Sequence, residues 1–141
     1  MNVSKRIRNE VYMKVTEILK QDKPTISFEV FPPKKDTDFA DVEAAATSIA
    51  ELNPSYMSVT YGAGGSTKGL TIKLAEGIQS KYNVPTIAHL TCVCADKTGI
   101  SQALEDMKAA GIKNILALRG DIPKDCLLYT SPSPRDRSLS R

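Results

Sequence analysis

The spacing of apolar positions changes period repeatedly along the chain. Near the N-terminus Ile7, Val11, Val15, Ile18 and Leu19 recur every three or four residues, which lines one side of a helix within residues 1–22. Residues 25–31 are instead a short apolar run, the pattern of a strand, stopped by Pro32 and Pro33. Helical spacing returns with Phe39, Val42, Ala46 and Ile49. Asp36 or Asp38 is placed to cap that helix, and Asn53-Pro54 ends it. Residues 56–61 predict a second strand, followed by the loop Gly62-Ala63-Gly64-Gly65-Ser66. Leu70, Leu74 and Ile78 then stack along a helix that runs to about Lys81. Residues 85–91 predict a third strand and residues 101–110 a helix closed by Gly111, a good residue just past a helix end. Residues 114–118 predict a fourth strand.

The strand centres recur about every 30 residues, the size of one strand–helix–strand unit. Four such units with nearly continuous apolar strands mean a parallel sheet covered by helices, an α/β fold. Two architectures fit, a doubly wound sheet and a (β/α)8 barrel. A whole barrel needs about 250 residues, so a barrel reading makes this chain half of one.

Four polar features fall at matching places. Glu29 lies near the end of strand one, Thr60 at the end of strand two and His89 near the end of strand three. Arg119-Gly120-Asp121 follows strand four. Parallel strands share the side on which their carboxyl ends lie, so all four converge on one face, where both candidate folds keep their chemistry. A carboxylate inside Ile26-Ser27-Phe28-Glu29-Val30-Phe31 is costly to bury without a partner or a task. Burial there would raise its pKa, as a general acid at neutral pH requires. An ion pair with Arg119 is the structural alternative. His89 taken alone is more often a hydrogen-bonded core residue than a catalyst. Arg119 suits forked contacts to carbonyls or phosphates, and Gly120 admits close backbone approach; a plain turn with surface charges is the alternative.

The glycine loop meets neither named phosphate-binding pattern, because both need glycine where Thr67 stands. Its free amides ahead of a helix could still touch a phosphate or a flavin edge. His89 with Cys92 and Cys94 is a weak metal set: in an extended segment the cysteines point one way and the histidine the other. No metal site is expected.

Composition narrows the classes. The chain has 141 residues, 41% hydrophobic and 25% charged, as in a globular domain. Nineteen basic and 16 acidic side chains give a net charge of +3, without the basic face that nucleic acid needs. No apolar run is long enough to cross a bilayer, and the three cysteines lack a disulfide framework. Glu10, Glu17 and Asp22 with no apolar stretch argue against a targeting peptide, so a cytoplasmic location is the default. Residues 126–141, with Ser131-Pro132-Ser133-Pro134 and three arginines, suit an unstructured tail. Their wording also resembles adaptor sequence translated at the end of an assembly. Fold and function are therefore taken from residues 1–125.

Four ordered motifs then carry a resemblance. They are Ser27-Phe28-Glu29-Val30-Phe31-Pro32-Pro33, Ser58-Val59-Thr60-Tyr61-Gly62-Ala63-Gly64-Gly65-Ser66, Ala88-His89-Leu90-Thr91-Cys92 and Ala117-Leu118-Arg119-Gly120-Asp121. In order and spacing they resemble the methylenetetrahydrofolate reductase family over roughly residues 10–125. Val30 stands where that pattern usually has a second aromatic. The resemblance implies a (β/α)8 barrel, here its N-terminal half of about four units, with FAD at the carboxyl ends of the strands. It implies hydride transfer from NADH or NADPH to FAD, then to methylenetetrahydrofolate, and leaves room for a homo-oligomer of the full-length enzyme. Glu29 matches the general acid and Asp121 the carboxylate that tunes flavin and folate. Thr60, Tyr61, Ala63, His89, Arg119, Gly120 and Asp121 match residues lining the flavin. With only four strands, this chain by itself is expected to be inactive. A non-catalytic flavin-binding or assembly fragment, and a different α/β phosphate-binding enzyme, stand as the other readings.

Overall fold

The computed structural model describes residues 13–33, 36–62, 67–93 and 95–120. In chain order these form helix α1 (Val15–Ile18), strand β1 (Ser27–Val30), a single 3-10 turn (Asp36–Asp38) and helix α2 (Phe39–Ala50). Strand β2 (Tyr56–Val59), helix α3 (Lys68–Tyr82), strand β3 (Thr86–Thr91), helix α4 (Lys97–Ala109) and strand β4 (Asn114–Leu118) follow. Ile7 and Val11 of the expected first helix lie outside the described residues. Within it, Val15 and Ile18 are buried while Leu19 is 54% exposed, because α1 has already ended.

The helix ends obey local chemistry, with two departures from expectation. Helix α4 starts earlier than the apolar spacing predicts: Asp96 accepts from the Gly99 amide at 2.7 Å and caps it there. Asp38 does stand at the N-cap of α2, but its carboxylate accepts from the Thr37 hydroxyl instead of a helix amide. Asn83 (φ 56°) closes α3 in the left-handed region, and Gly111 (φ 72°) follows α4 as its place predicted.

The sheet order is β1-β2-β3-β4, all parallel. A doubly wound sheet reverses its direction of growth; this one does not. Right-handed crossovers taken in one direction put every helix on the same face, which is barrel geometry. That face holds the core. Val30, Met57, Val59, Ala88 and Leu90 from the strands pack with Phe39, Ala46 and Ala50 of α2, Leu74, Ala75 and Ile78 of α3, and Ala103 and Met107 of α4. Burying a side chain of leucine or methionine size is worth about 1.5–3 kcal/mol, so this layer supplies most of the cohesion. Ion pairs at 2.7 Å, Glu43–Lys81 and Lys68–Asp106, tie α2 to α3 and α3 to α4.

Helix α1 is held at the opposite end of the strands. The Asn114 side chain accepts from the Val15 amide at 2.9 Å, and its Nδ2 donates to the Met13 and Thr86 carbonyls at 3.4 Å. One asparagine thus joins the chain entry to β3 and β4. Among the described residues β1 and β4 each have a single strand neighbour. Phe28, Ile115, Leu116 and Leu118 are accordingly more than a third exposed. No described helix is long and apolar enough to cross a membrane.

Candidate active site

Strand pairing decides what Glu29 meets. Glu29 is in register with Ser58, and Ser58 with Ile87. Side chains alternate between faces, so His89 stands one step beyond Ile87 on the face that Glu29 and Ser58 share. The contacts agree. Ser58 Oγ donates to Glu29 Oε2 at 3.1 Å, and His89 Nε2 lies 3.5 Å from the same oxygen. Glu29 and His89 form an ion pair only with the imidazole protonated.

Two expectations for Glu29 are corrected here. Its side chain is 46% exposed, not buried, because only β2 flanks β1 and no described residue covers the inner face in front of it. Its neighbours are Ser58 and His89, and Arg119 takes no part. The histidine is the buried member, its side chain 10% exposed.

Thr60 and Tyr61 follow β2 directly. The Thr60 amide donates to the Val30 carbonyl at 3.0 Å, which continues the sheet past the last paired residue of β1. Its own carbonyl accepts from Thr71 Oγ1 at 2.9 Å. Thr71 is fully buried in α3, and the same hydroxyl also reaches the Thr67 carbonyl at 3.0 Å. Gly62 then donates its amide to Thr67 Oγ1 at 2.6 Å, pinning the two ends of the glycine loop together. Burial pushes the Tyr61 hydroxyl above its ordinary pKa; the nearby Lys68 charge opposes this and Asp106 adds to it. The phenol therefore stays protonated, a donor.

On the far side Arg119 and Gly120 leave β4 beside the end of β3, where Cys92 and Val93 amides donate to the Leu118 and Arg119 carbonyls at 2.9 Å. Gly120 has φ +84°, and a Cβ there would lie 2.9 Å from Val93 Cγ1 and 3.0 Å from Thr91 Cβ. Its close approach is to the protein itself. Beneath it Thr91 is 8% exposed, and its buried Oγ1 has no hydrogen-bond partner among the described residues. Glu29, Thr60, Tyr61, His89, Arg119 and Gly120 thus all sit at the carboxyl ends of the strands. Ala63 and Asp121, also expected here, lie outside the described residues, as does Cys94. Cys92 is an exposed free thiol, and no three metal-ligating side chains cluster among the described residues. Open cavities of about 270 and 380 Å³ flank α1, lined by Pro85 and Asn83 in one case and Ile87 and Leu116 in the other. Neither is lined by Glu29, Thr60, Tyr61, His89, Arg119 or Gly120.

Sequence pattern alone missed Ser58, Thr67, Thr71 and Thr91. The first is legible only once its register with Glu29 is known. Thr71 and Thr91 lie among apolar neighbours, which is a signal of burial, whereas Thr67 stands between Ser66 and Lys68 and only the structure shows it buried.

Comparison with known proteins settles the ancestry. The profile of methylenetetrahydrofolate reductase matches residues 14–136. The chain belongs to the methylenetetrahydrofolate reductase family. It is 37% identical over 114 residues to methylenetetrahydrofolate reductase (NADH) 1 of Arabidopsis thaliana, covering 81% of this chain and 19% of that protein. Methylenetetrahydrofolate reductase 2 of Schizosaccharomyces pombe is 43% identical over 98 residues, 69% of this chain and 15% of that one. The 5,10-methylenetetrahydrofolate reductase of Pectobacterium carotovorum is 30% identical over 105 residues, 74% of this chain and 35% of its own length. The chain therefore spans about a fifth of the plant relative and a third of the bacterial one. Methylenetetrahydrofolate reductases are (β/α)8 barrels, and this chain is the N-terminal half of that barrel. The match also runs past residue 125 into the segment set aside as a tail.

Proposed function

We propose that the barrel to which this chain contributes its first half is a flavin-dependent reductase. It turns 5,10-methylenetetrahydrofolate into 5-methyltetrahydrofolate using NADH or NADPH. The observation that carries this reading is the meeting of Glu29, Thr60, His89 and Arg119 at the carboxyl ends of the strands in a chain of this family. The name of the Arabidopsis relative specifies NADH, which favours that donor.

The residues present fit a flavin. Hydroxyls of Thr60 and Tyr61, the His89 imidazole and the Arg119 guanidinium suit the carbonyls and ring nitrogens of an isoalloxazine edge. The buried Thr91 hydroxyl beside Gly120, without a partner among the described residues, is a further polar group at the same place. Thr60, Tyr61, Ala63, His89, Arg119, Gly120 and Asp121 are the residues assigned to hold it, with Thr60 also beside the nicotinamide. Held there, FAD would supply the hydride-transfer chemistry that links nicotinamide to folate.

Glu29 is assigned the acid step. Its carboxyl gives a proton to a ring nitrogen of the folate as the bond from that nitrogen to the methylene carbon breaks. The bonding pair stays on nitrogen, and the iminium left at the carbon accepts hydride. Glu29 ends as a carboxylate and regains its proton from water. Asp121 is assigned to tune the charge around flavin and folate.

Glu29→Gln tests the reading. In the complete barrel it keeps the shape and removes the transferable proton. Folate reduction should fall by about 10²–10⁴-fold while nicotinamide still reduces the flavin. Stopped-flow absorbance of the two half-reactions separates them, and equal loss in both would make Glu29 structural.

A further inference from the structure

We infer that Ser58 is the positioning residue for Glu29, holding one carboxyl oxygen so that the other delivers the proton. This rests on the acid role proposed above for Glu29. Two groups approach the carboxylate, and both choose Oε2: the Ser58 hydroxyl at 3.1 Å and His89 Nε2 at 3.5 Å. No described residue is a hydrogen-bond partner of Oε1. A neutral carboxyl has one oxygen that accepts and one that carries the proton. With Oε2 occupied by a donor, Oε2 is the carbonyl oxygen and Oε1 the hydroxyl oxygen.

The arrangement is built by the sheet. Glu29 and Ser58 are register partners on adjacent parallel strands, each held by neighbours in the ladder. Ser58 is therefore fixed before any ligand arrives, while the Glu29 side chain, 46% exposed, is otherwise free to turn. The buried imidazole of His89 closes the same side of the carboxyl and leaves Ser58 to orient it. During the step the Oε1–H bond breaks and an N–H bond forms on the folate. Negative charge then appears on the carboxylate, and the Ser58 hydrogen bond strengthens as it does. Serine is needed because its hydroxyl is both short enough for the register and able to donate.

Three variants in the complete barrel test this. Ser58→Ala removes the donor with little change in volume. It should slow reduction of methylenetetrahydrofolate roughly ten- to a hundredfold, the size of a lost hydrogen bond to a charged group. Flavin reduction by NADH and the dissociation constant for folate should not move. Ser58→Thr keeps the hydroxyl and should recover most of the lost rate. Glu29→Gln is measured alongside. If it spares folate reduction, the acid role itself fails. If it abolishes folate reduction while Ser58→Ala behaves as the parent, or Ser58→Thr recovers nothing, the positioning role is overturned and the acid role stands. A weakened folate affinity at unchanged rate in Ser58→Ala overturns it too.

Discussion

Gly120 shows how much one residue can carry. Its φ of +84° lies where a side chain is disfavoured, and the space a Cβ needs is taken by Val93 and Thr91. Neither neighbour is the end of a long flexible chain, so neither gives way cheaply. Gly120→Ala should cost about 2 kcal/mol or more, from backbone strain and the clash together. Urea unfolding of the complete barrel measures it, and a midpoint equal to the parent's would mean the turn relaxes freely. The place matters because Arg119 precedes it. A shifted turn would move Arg119 at the carboxyl end of β4.

Helices α3 and α4 depend on charges at their edges as well as on Leu74, Ala103 and Met107 within. The Lys68 ammonium, 2.7 Å from Asp106 Oδ2, and the Gln102 amide at 2.8 Å hold the Asp106 carboxyl below its ordinary pKa. A lowered value in the folded state means that the pair stabilises above the unfolded pKa, neutral pH included. The contribution is lost as pH falls through the folded value. Lys68→Met should therefore lower the urea midpoint slightly at neutral pH, with the gap closing in acid and narrowing in high salt. A gap that persists in acid would show that Lys68 acts through packing of its stem. Glu43 with Lys81 follows the same rule between α2 and α3, since hydrogen bonding to Lys81 lowers the Glu43 pKa and raises that of its partner.

At the scale of the molecule the decisive fact is that the four described strands do not close on themselves. A barrel has no edges because its last strand pairs with its first. Here β1 and β4 each lack a second neighbour among the described residues, and Leu116 and Leu118 are 44% and 38% exposed. Open, flat apolar edges invite association. Domains are stable by only about 5–15 kcal/mol, and each uncovered leucine forfeits a share of about 1.5–3 kcal/mol. The 141-residue chain made as written should thus aggregate or stay loosely packed, purify without yellow colour and oxidise no NADH. Size-exclusion chromatography, a thermal melt and the flavin absorbance decide this. A monomer with a sharp melt and stoichiometric FAD would make the half-barrel an autonomous unit.

Much of the architecture was legible in the residues because its signals are local. Apolar spacing separated four strands from the intervening helices, and β4 begins and ends where its run does, at Asn114 and Leu118. Strand direction alone then brought Glu29, Thr60, His89 and Arg119 to one side. What lay beyond the sequence depends on register. In β3 nearly every residue of Thr86–Thr91 is buried, so no alternation tells which face each side chain takes or which neighbour it meets. Only pairing put Ser58 against Glu29, carried His89 to the same oxygen and left Arg119 elsewhere. The exposure of Glu29 has the same origin: a carboxylate in an apolar run is buried only when something lies over its face of the sheet. Among the described residues nothing does. Local spacing determined the elements, and long-range pairing decided their contacts.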